Sequence, residues 1–305
     1  MAIDAEHLLN RRFPEVRHPY SRRDVMLYAL SIGIGADPLD ERQLRYVYER
    51  DLRVFPAMAA ILAYPGLWAR EPDTGLDWER VLHAEQGVEF LKPLPTEGVV
   101  VARTRVTGLV DKGKGRGALI YTERTGIDES TGDELFHVYH TAFARGDGGF
   151  GGPGESRGAG RTERTPHPLP QRQPDAVCPL PTLPQQALLY RLNGDPNPHN
   201  AAPAAARASG FDRPIMHGLC TYGFAAHAVA ATCCDYEPDS FASMQVRLSA
   251  PVFPGETIVT DIWRDDDVVS FRSRVAERDA VVLDNGWVLL RPGRRVRPEP
   301  PGIFR

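Results

Sequence analysis

The chain of 305 residues carries one sequence plan twice, and this repetition limits its possible folds more than any other feature. A Leu-Tyr pair followed by a glycine-containing turn occurs at Tyr28 and again at Tyr190, 162 positions later. A proline-rich turn occurs at Pro95 and again at Pro254, 159 positions later. Similar offsets at separate landmarks indicate two duplicated units. The length also suits two domains of ordinary size.

Each half reads as a helical segment followed by strands. Ser21 is a candidate N-cap, and apolar residues at helical spacing follow it until Gly33. Alternating apolar and polar residues are typical of half-buried antiparallel strands. Such runs lie at 99–107, 118–125 and 134–144, and again at 257–264, 268–275 and 281–290. The pattern predicts an α+β fold in which each unit is an antiparallel sheet wrapped around a central helix.

A segment rich in Gly, Pro and Arg at 146–175 divides the two units, which we place at 1–145 and 176–305. Its composition predicts a flexible linker. The glycines are not followed by the Gly-Lys-Ser/Thr ending of a phosphate-binding loop, so nucleotide hydrolysis gains little support.

Composition excludes several classes of function. A net charge of −4 disfavours binding to nucleic acid, and no apolar run is long enough for a membrane span. The N-terminus lacks a secretory pattern, so we expect a cytoplasmic location. The four cysteines show no metal-binding spacing and are expected to be buried free thiols.

Polar residues concentrate between Leu189 and Ala228. Prolines interrupt this stretch, so the residues from Asp195 to Asn200 should form a turn whose side chains converge. The residues that follow Ile215 are almost wholly apolar and small, which predicts a helix buried on most sides.

Two motifs in this stretch point to a known family. Tyr-Arg-Leu-x-Gly-Asp-x-Asn-Pro begins at Tyr190, and Gly-Phe-x-x-Pro-Ile-x-His-Gly-Leu-Cys-Thr-Tyr-Gly begins at Gly210. Together they resemble the hydratase-2 motif of the MaoC-like (R)-specific enoyl-CoA hydratases. The resemblance implies a double hot-dog fold and reversible hydration of trans-2-enoyl-CoA to (R)-3-hydroxyacyl-CoA in fatty acid metabolism. It implies an acyl-CoA substrate and neither a metal nor a redox cofactor, and we also expect a homodimer.

The resemblance assigns roles to individual residues. Asp195 is expected to be catalytic, and the N–H of Gly218 is expected to bind the thioester oxygen. We place His217, Asn197 and Gly194 beside them as substrate-binding residues. From the sequence alone Asp195 could equally be a turn-former, because Asp before Pro is common in turns.

The chain departs from the family at one position. The family reads Gly-Asp-x-Asn-Pro-Leu-His-x-Asp-Pro, and without a gap its catalytic His falls on Asn200. A carboxamide cannot act as a general base. Either a local shift brings His199 to that place, or Asp195 acts alone while Asn200 orients the water; the ungapped alignment is our preferred hypothesis. A catalytically silent acyl-CoA-binding subunit is the alternative function, and a hot-dog thioesterase is a further one.

Two expectations concern the first unit. It lacks the Gly-Asp-x-Asn-Pro motif, so we expect it to supply a wall or a long hydrophobic tunnel for the acyl group. Its basic turn with Lys112, Lys114 and Arg116 is either a solvated hairpin tip or a site for the phosphates of coenzyme A.

Overall fold

The computed structural model describes residues 3–151, 154–158 and 166–292. The strands are β1 Val16–Tyr20, β2 Val81–Phe90, β3 Gly98–Asp111, β4 Ala118–Asp128, β5 Glu134–Ala144, β6 Ser156–Arg157, β7 Ala176–Pro181, β8 Phe241–Leu248, β9 Thr257–Asp265, β10 Val268–Val275 and β11 Ala280–Leu290. The helices are α1 Ala5–Leu9, α2 Arg22–Ser31, α3 Glu41–Leu44, α4 Gln186–Tyr190, α5 Pro203–Ala208 and α6 Gly218–Cys233.

One continuous antiparallel sheet runs through both halves of the chain. Its order is β1-β3-β4-β5-β2-β8-β11-β10-β9-β7, and β6 pairs with β3. The two halves join where β2 pairs with β8, for example at Gly87 opposite Gln245. This is the predicted α+β arrangement of two hot-dog sheets joined edge to edge, and every predicted strand is present.

The helices follow the local sequence signals. Ser21 caps α2, because its N–H and Oγ both donate to Asp24 Oδ2, at 2.9 and 2.6 Å. The long apolar segment becomes α6, which begins at Gly218, three residues after Ile215. α6 is almost entirely buried and packs against strands of both halves. It is therefore the central helix of the C-terminal sheet.

The N-terminal half differs at the corresponding place. A short 3-10 helix, Pro56–Ala60, packs against β2, β5 and α6, where the C-terminal half has a long α-helix. Pro56 opens this segment, and its five residues are all buried. The inner face of the N-terminal sheet is thus covered by a short helix and loops.

The first part of the predicted flexible linker is packed, contrary to expectation. The buried carboxylate of Asp111, at the end of β3, accepts hydrogen bonds from the N–H groups of Gly149 and Gly151, each at 2.8 Å. At Gly148 a side chain would meet the Gly113 carbonyl oxygen at 2.5 Å. Glycine is needed here because two backbones lie in contact. Residues 152–153 and 159–165 of the predicted linker lie outside the described residues.

Two expectations from composition can be compared with the structure. All four cysteines are buried and free, as predicted. Within the described residues, no helix is both long enough and apolar enough to cross a membrane.

Candidate active site

Asp195 lies in a tight turn that directs its two carboxylate oxygens to different partners. Gly194 precedes it with φ of 102°, a conformation that favours glycine. The N–H of Asn197 donates to Asp195 Oδ1 at 3.0 Å, and Asp195 Oδ2 lies 4.0 Å from His217 Nε2. One oxygen therefore shapes the turn while the other faces the imidazole. The turn-forming and the chemical interpretations of Asp195 are compatible.

His217 is a buried histidine without a hydrogen-bond partner for its ring. The residue is only 3% exposed, and within the described residues neither ring nitrogen has a partner. The Tyr190 ring packs against it, with centroids 5.2 Å apart. Burial lowers the pKa of His217, and the nearby Asp195 carboxylate opposes that shift. A buried polar group left without a partner marks a place where water or a ligand is expected to bind.

Gly218 is the first residue of α6, next to His217. The first N–H groups of a helix have no acceptor within the helix, and the helix dipole makes this end favourable for negative charge. A side chain at this position would have a Cβ 2.4 Å from Leu248 Cδ2 and 3.5 Å from His83 Nδ1. Glycine at this position therefore lets the start of α6 lie close to Leu248 and to His83 of the N-terminal half.

The neighbouring residues His199 and Asn200 point to different surroundings. Asn200 is 2% exposed, and its Nδ2 donates to the carbonyl oxygen of Ile215 at 2.8 Å. His199 is half-buried beside Phe211, with ring centroids 6.2 Å apart. Asn200 therefore bonds to the segment that leads into α6, whereas His199 packs beside Phe211 but still lies near enough to Asp195 and His217 to interact electrostatically with both. Burial lowers the pKa of His199, and Asp195 partly opposes this shift.

The N-terminal half brings further groups to the site that the sequence did not single out. The rings of His83 on β2 and His140 on β5 pack together with centroids 4.3 Å apart. Burial is the largest cause that lowers the pKa of His83, to about 4. His83 is the histidine that approaches Gly218, so both halves contribute to one site. Neither histidine belongs to a motif, and only their place on inward strand positions could have indicated them.

The basic turn of the N-terminal half lies at the protein surface. The side chains of Lys112, Lys114 and Arg116 are exposed in the turn between β3 and β4. Across the described parts of the chain, no cluster of three or more His, Cys, Asp or Glu residues has the arrangement to hold a metal ion.

Comparison with known proteins identifies the family. The MFE-2 hydratase 2 N-terminal domain family matches residues 18–146, and the MaoC like domain family matches residues 166–285. The peroxisomal enoyl-CoA hydratase 2 of Arabidopsis thaliana is 36% identical over 95% of this chain and 96% of its own length. The chain belongs to the MaoC-like hydratase 2 family.

Solved structures of this family have the same fold. The MaoC-like dehydratase of Phytophthora capsici is 33% identical, with a TM-score of 0.82 over 95% of this chain and 99% of that one. The full-length peroxisomal multifunctional enzyme type 2 of Drosophila melanogaster is 34% identical, with a TM-score of 0.77 over 91% of this chain and 48% of that one. Asp195, His217 and Gly218 lie within residues 166–285, the segment that matches the MaoC like domain family.

Proposed function

We propose that this hydratase 2 family member is an enzyme that adds water reversibly to a trans-2-enoyl-CoA and forms an (R)-3-hydroxyacyl-CoA. The observation that carries the proposal is the approach of Asp195 Oδ2 to His217 Nε2, at 4.0 Å, beside the first N–H of α6. This separation is too long for a direct hydrogen bond. We propose that a water molecule lies beside the pair, at about 2.8 Å from each atom, and bonds to both.

In the proposed reaction, the water oxygen attacks the β-carbon and the electrons of the double bond move toward the thioester. Asp195 accepts a proton from the water, and the N–H of Gly218 donates to the thioester oxygen as negative charge develops there. The protonated Asp195 then gives this proton to the α-carbon, which completes the hydroxyacyl product and restores the carboxylate. Burial lowers the pKa of His217 and so favours the neutral imidazole, whose Nε2 faces Asp195 and can orient the water. The thioester itself activates the alkene, and we propose that no cofactor takes part.

Asn200 has a positioning role in this proposal. Its bond to the Ile215 carbonyl holds the backbone two residues before His217. On the other side of that carbonyl, the Met216 N–H donates to Val252 at 2.8 Å. These bonds fix the segment that carries His217 and Gly218. The ungapped alignment puts Asn200 at the position of the family's catalytic His, and on that hypothesis we expect hydration to be slow or restricted to particular substrates.

The same departure supports one alternative function, a subunit that binds acyl-CoA without turning it over. A hydration assay on the purified chain separates the two, because loss of the conjugated alkene of an enoyl-CoA is visible in ultraviolet absorbance. We expect measurable hydration, an (R)-configured product by chiral chromatography, and a loss of about 10²-fold or more in His217→Gln. Tight binding without turnover would favour the silent subunit, and an (S)-product would contradict the proposed geometry.

Two proposals concern the oligomeric state and the location of the protein. We propose that the protein acts as a homodimer and is cytoplasmic, as expected from the sequence, although relatives from Arabidopsis and Drosophila are named as peroxisomal proteins. Light scattering on the purified protein tests the first proposal, and fractionation of the source cells tests the second. We further propose that Lys112, Lys114 and Arg116 contact the phosphates of coenzyme A, because their positively charged side chains are exposed together in one turn.

A further inference from the structure

Arg124 is a buried cation without a carboxylate partner. It lies on β4, is 5% exposed, and donates through Nη2 to the carbonyl oxygen of Ala60 at 2.6 Å. Its Nε is buried and has no partner within the described residues, and no Asp or Glu of that part of the chain forms an ion pair with it. Burial without a counterion lowers its pKa to about 10. A buried charge of this kind is costly unless something pairs with it.

Three polar side chains, those of Tyr64, His140 and Thr104, lie near Arg124. The Tyr64 ring lies 5.9 Å from the guanidinium carbon, and burial raises the pKa of Tyr64 to about 12. His140 lies near enough for Arg124 to lower its pKa, after the larger effects of burial and of His83. Thr104, directly opposite Arg124 on β3, has a buried hydroxyl without a partner in the described residues. These side chains can orient an anion, but they do not neutralise the guanidinium.

Electrostatic and packing interactions connect this cluster to the active site. Tyr64 lies close enough to Asp195 for the carboxylate to add to the rise in its pKa, and it keeps 38% of its surface exposed. On the other side, His140 packs on His83, which approaches Gly218. Arg124 therefore lies on the inner face of the N-terminal sheet, where the sequence predicted an apolar wall for the acyl group.

We propose that Arg124 binds a carboxylate carried by the acyl chain of the substrate. This proposal rests on the proposed hydratase function and specifies its substrate class. A guanidinium presents two parallel N–H donors that match a carboxylate, and Nε is the donor left free. The preferred substrate is then an enoyl-CoA whose acyl chain ends in, or bears, a carboxylate. Thr104 and Tyr64 lie where they can bond to the same group.

The test compares matched trans-2-enoyl-CoA pairs of equal chain length, one ending in a methyl group and the other in a carboxylate. At the best length, the wild type should have a higher kcat/KM for the carboxylate. Arg124→Met should lower that value about 10- to 100-fold, as expected for a lost charge-assisted hydrogen bond, and leave the methyl substrate unchanged or improved. Arg105→Met, which removes an exposed arginine of β3 paired with Glu123, should change neither value.

The ratio of the two kcat/KM values separates ligand binding from a structural role. If Arg124 only anchors the Ala60 carbonyl, Arg124→Met lowers both activities together with the melting temperature, and Arg124→Lys restores both. That result would overturn the proposal, as would a wild type that prefers methyl-terminated substrates at every length. Activation of a methyl-terminated substrate by free glutarate would also overturn it, because the anion would then be separate from the substrate.

Failure of the proposed reaction remains distinguishable from failure of this inference. If no enoyl-CoA is hydrated, calorimetry with saturated acyl-CoA pairs measures the same preference without turnover. Stronger binding of the carboxylate-terminated thioester, lost in Arg124→Met and kept in Arg105→Met, would support the Arg124 site alone. Equal affinities for the two thioesters would refute it.

Discussion

Replacing Gly218 with alanine tests the geometry of the proposed oxyanion site. The new Cβ would lie 2.4 Å from Leu248 Cδ2. Carbon atoms pack at about 3.5–4 Å, so the clash amounts to about 1 Å or more. Relief requires movement of Leu248 or of the start of α6, and a misplacement of about 1 Å near reacting atoms costs roughly 10²-fold in rate.

Stability should change far less than activity in this variant. Alanine in a helix is favoured over glycine by about 1 kcal/mol, and overpacking costs about 1–3 kcal/mol. The two effects largely offset each other, so Gly218→Ala should fold. We expect kcat for enoyl-CoA hydration to fall about 10²-fold, measured by the loss of alkene absorbance, while the urea midpoint shifts little.

The double variant Gly218→Ala/Leu248→Ala provides the control. Removing the Leu248 side chain opens space for the new methyl group, so most of the lost rate should return, and Leu248→Ala alone should stay near the wild-type rate. A Gly218→Ala enzyme with full activity would refute the steric reasoning. A loss that Leu248→Ala fails to relieve, in a folded protein, would refute it equally.

Three further predictions concern histidines and Asn200. Asn200→His should raise the turnover of an enoyl-CoA by up to about 10²-fold, because an imidazole N–H can keep the bond to Ile215 while adding a base; an unchanged kcat would contradict the ungapped alignment. His199→Ala should keep most activity, because His199 packs beside Phe211, and a large loss would instead indicate that His199 reaches the water. The neutral His227 donates from Nδ1 to the carbonyl oxygen of Ile32 and accepts from the Tyr236 hydroxyl at Nε2. Burial lowers its pKa from the ordinary 6.5 to about 4, so the unfolding free energy should fall as the pH drops from about 6.5 towards 4, by about 2 kcal/mol at pH 5. Urea titrations of the wild type and His227→Gln at pH 7 and 5 check this, and an equal pH dependence in both would count against it.

The fold could be predicted from the sequence where short-range signals decide it. Strand alternation, the Ser21 cap and the repeated turns each act within a few residues, and all of them are confirmed. The replacement of a central helix by the 3-10 segment Pro56–Ala60 was not predicted. That outcome depends on packing against α6 and β2, which the local sequence does not record.

The residues of the candidate site show the same difference between local sequence signals and long-range packing. Asp195 could be singled out from the motif that begins at Tyr190, and His217 and Gly218 from the motif that begins at Gly210. His83, His140 and Arg124 come from three strands far away in sequence, and only the sheet brings them near the motif. Arg124 did carry a usable signal, because it occupies an inward position of β4, in phase with the buried Ile120. The packed start of the linker was missed since glycine-rich composition does not reveal the carboxylate of Asp111 that holds it.

The most direct test of the account is the rate of enoyl-CoA hydration by Asp195→Asn. The substituted side chain keeps its size and can still accept the Asn197 N–H, so the turn and the fold should persist. Asp212→Asn is the matched control, because Asp212 is exposed and occupies an unspecified position of the motif that begins at Gly210. We expect Asp195→Asn to lose about 10²–10⁴-fold in kcat with little change in melting temperature or acyl-CoA affinity, and Asp212→Asn to match the wild type. A folded Asp195→Asn enzyme with wild-type turnover would contradict the central claim.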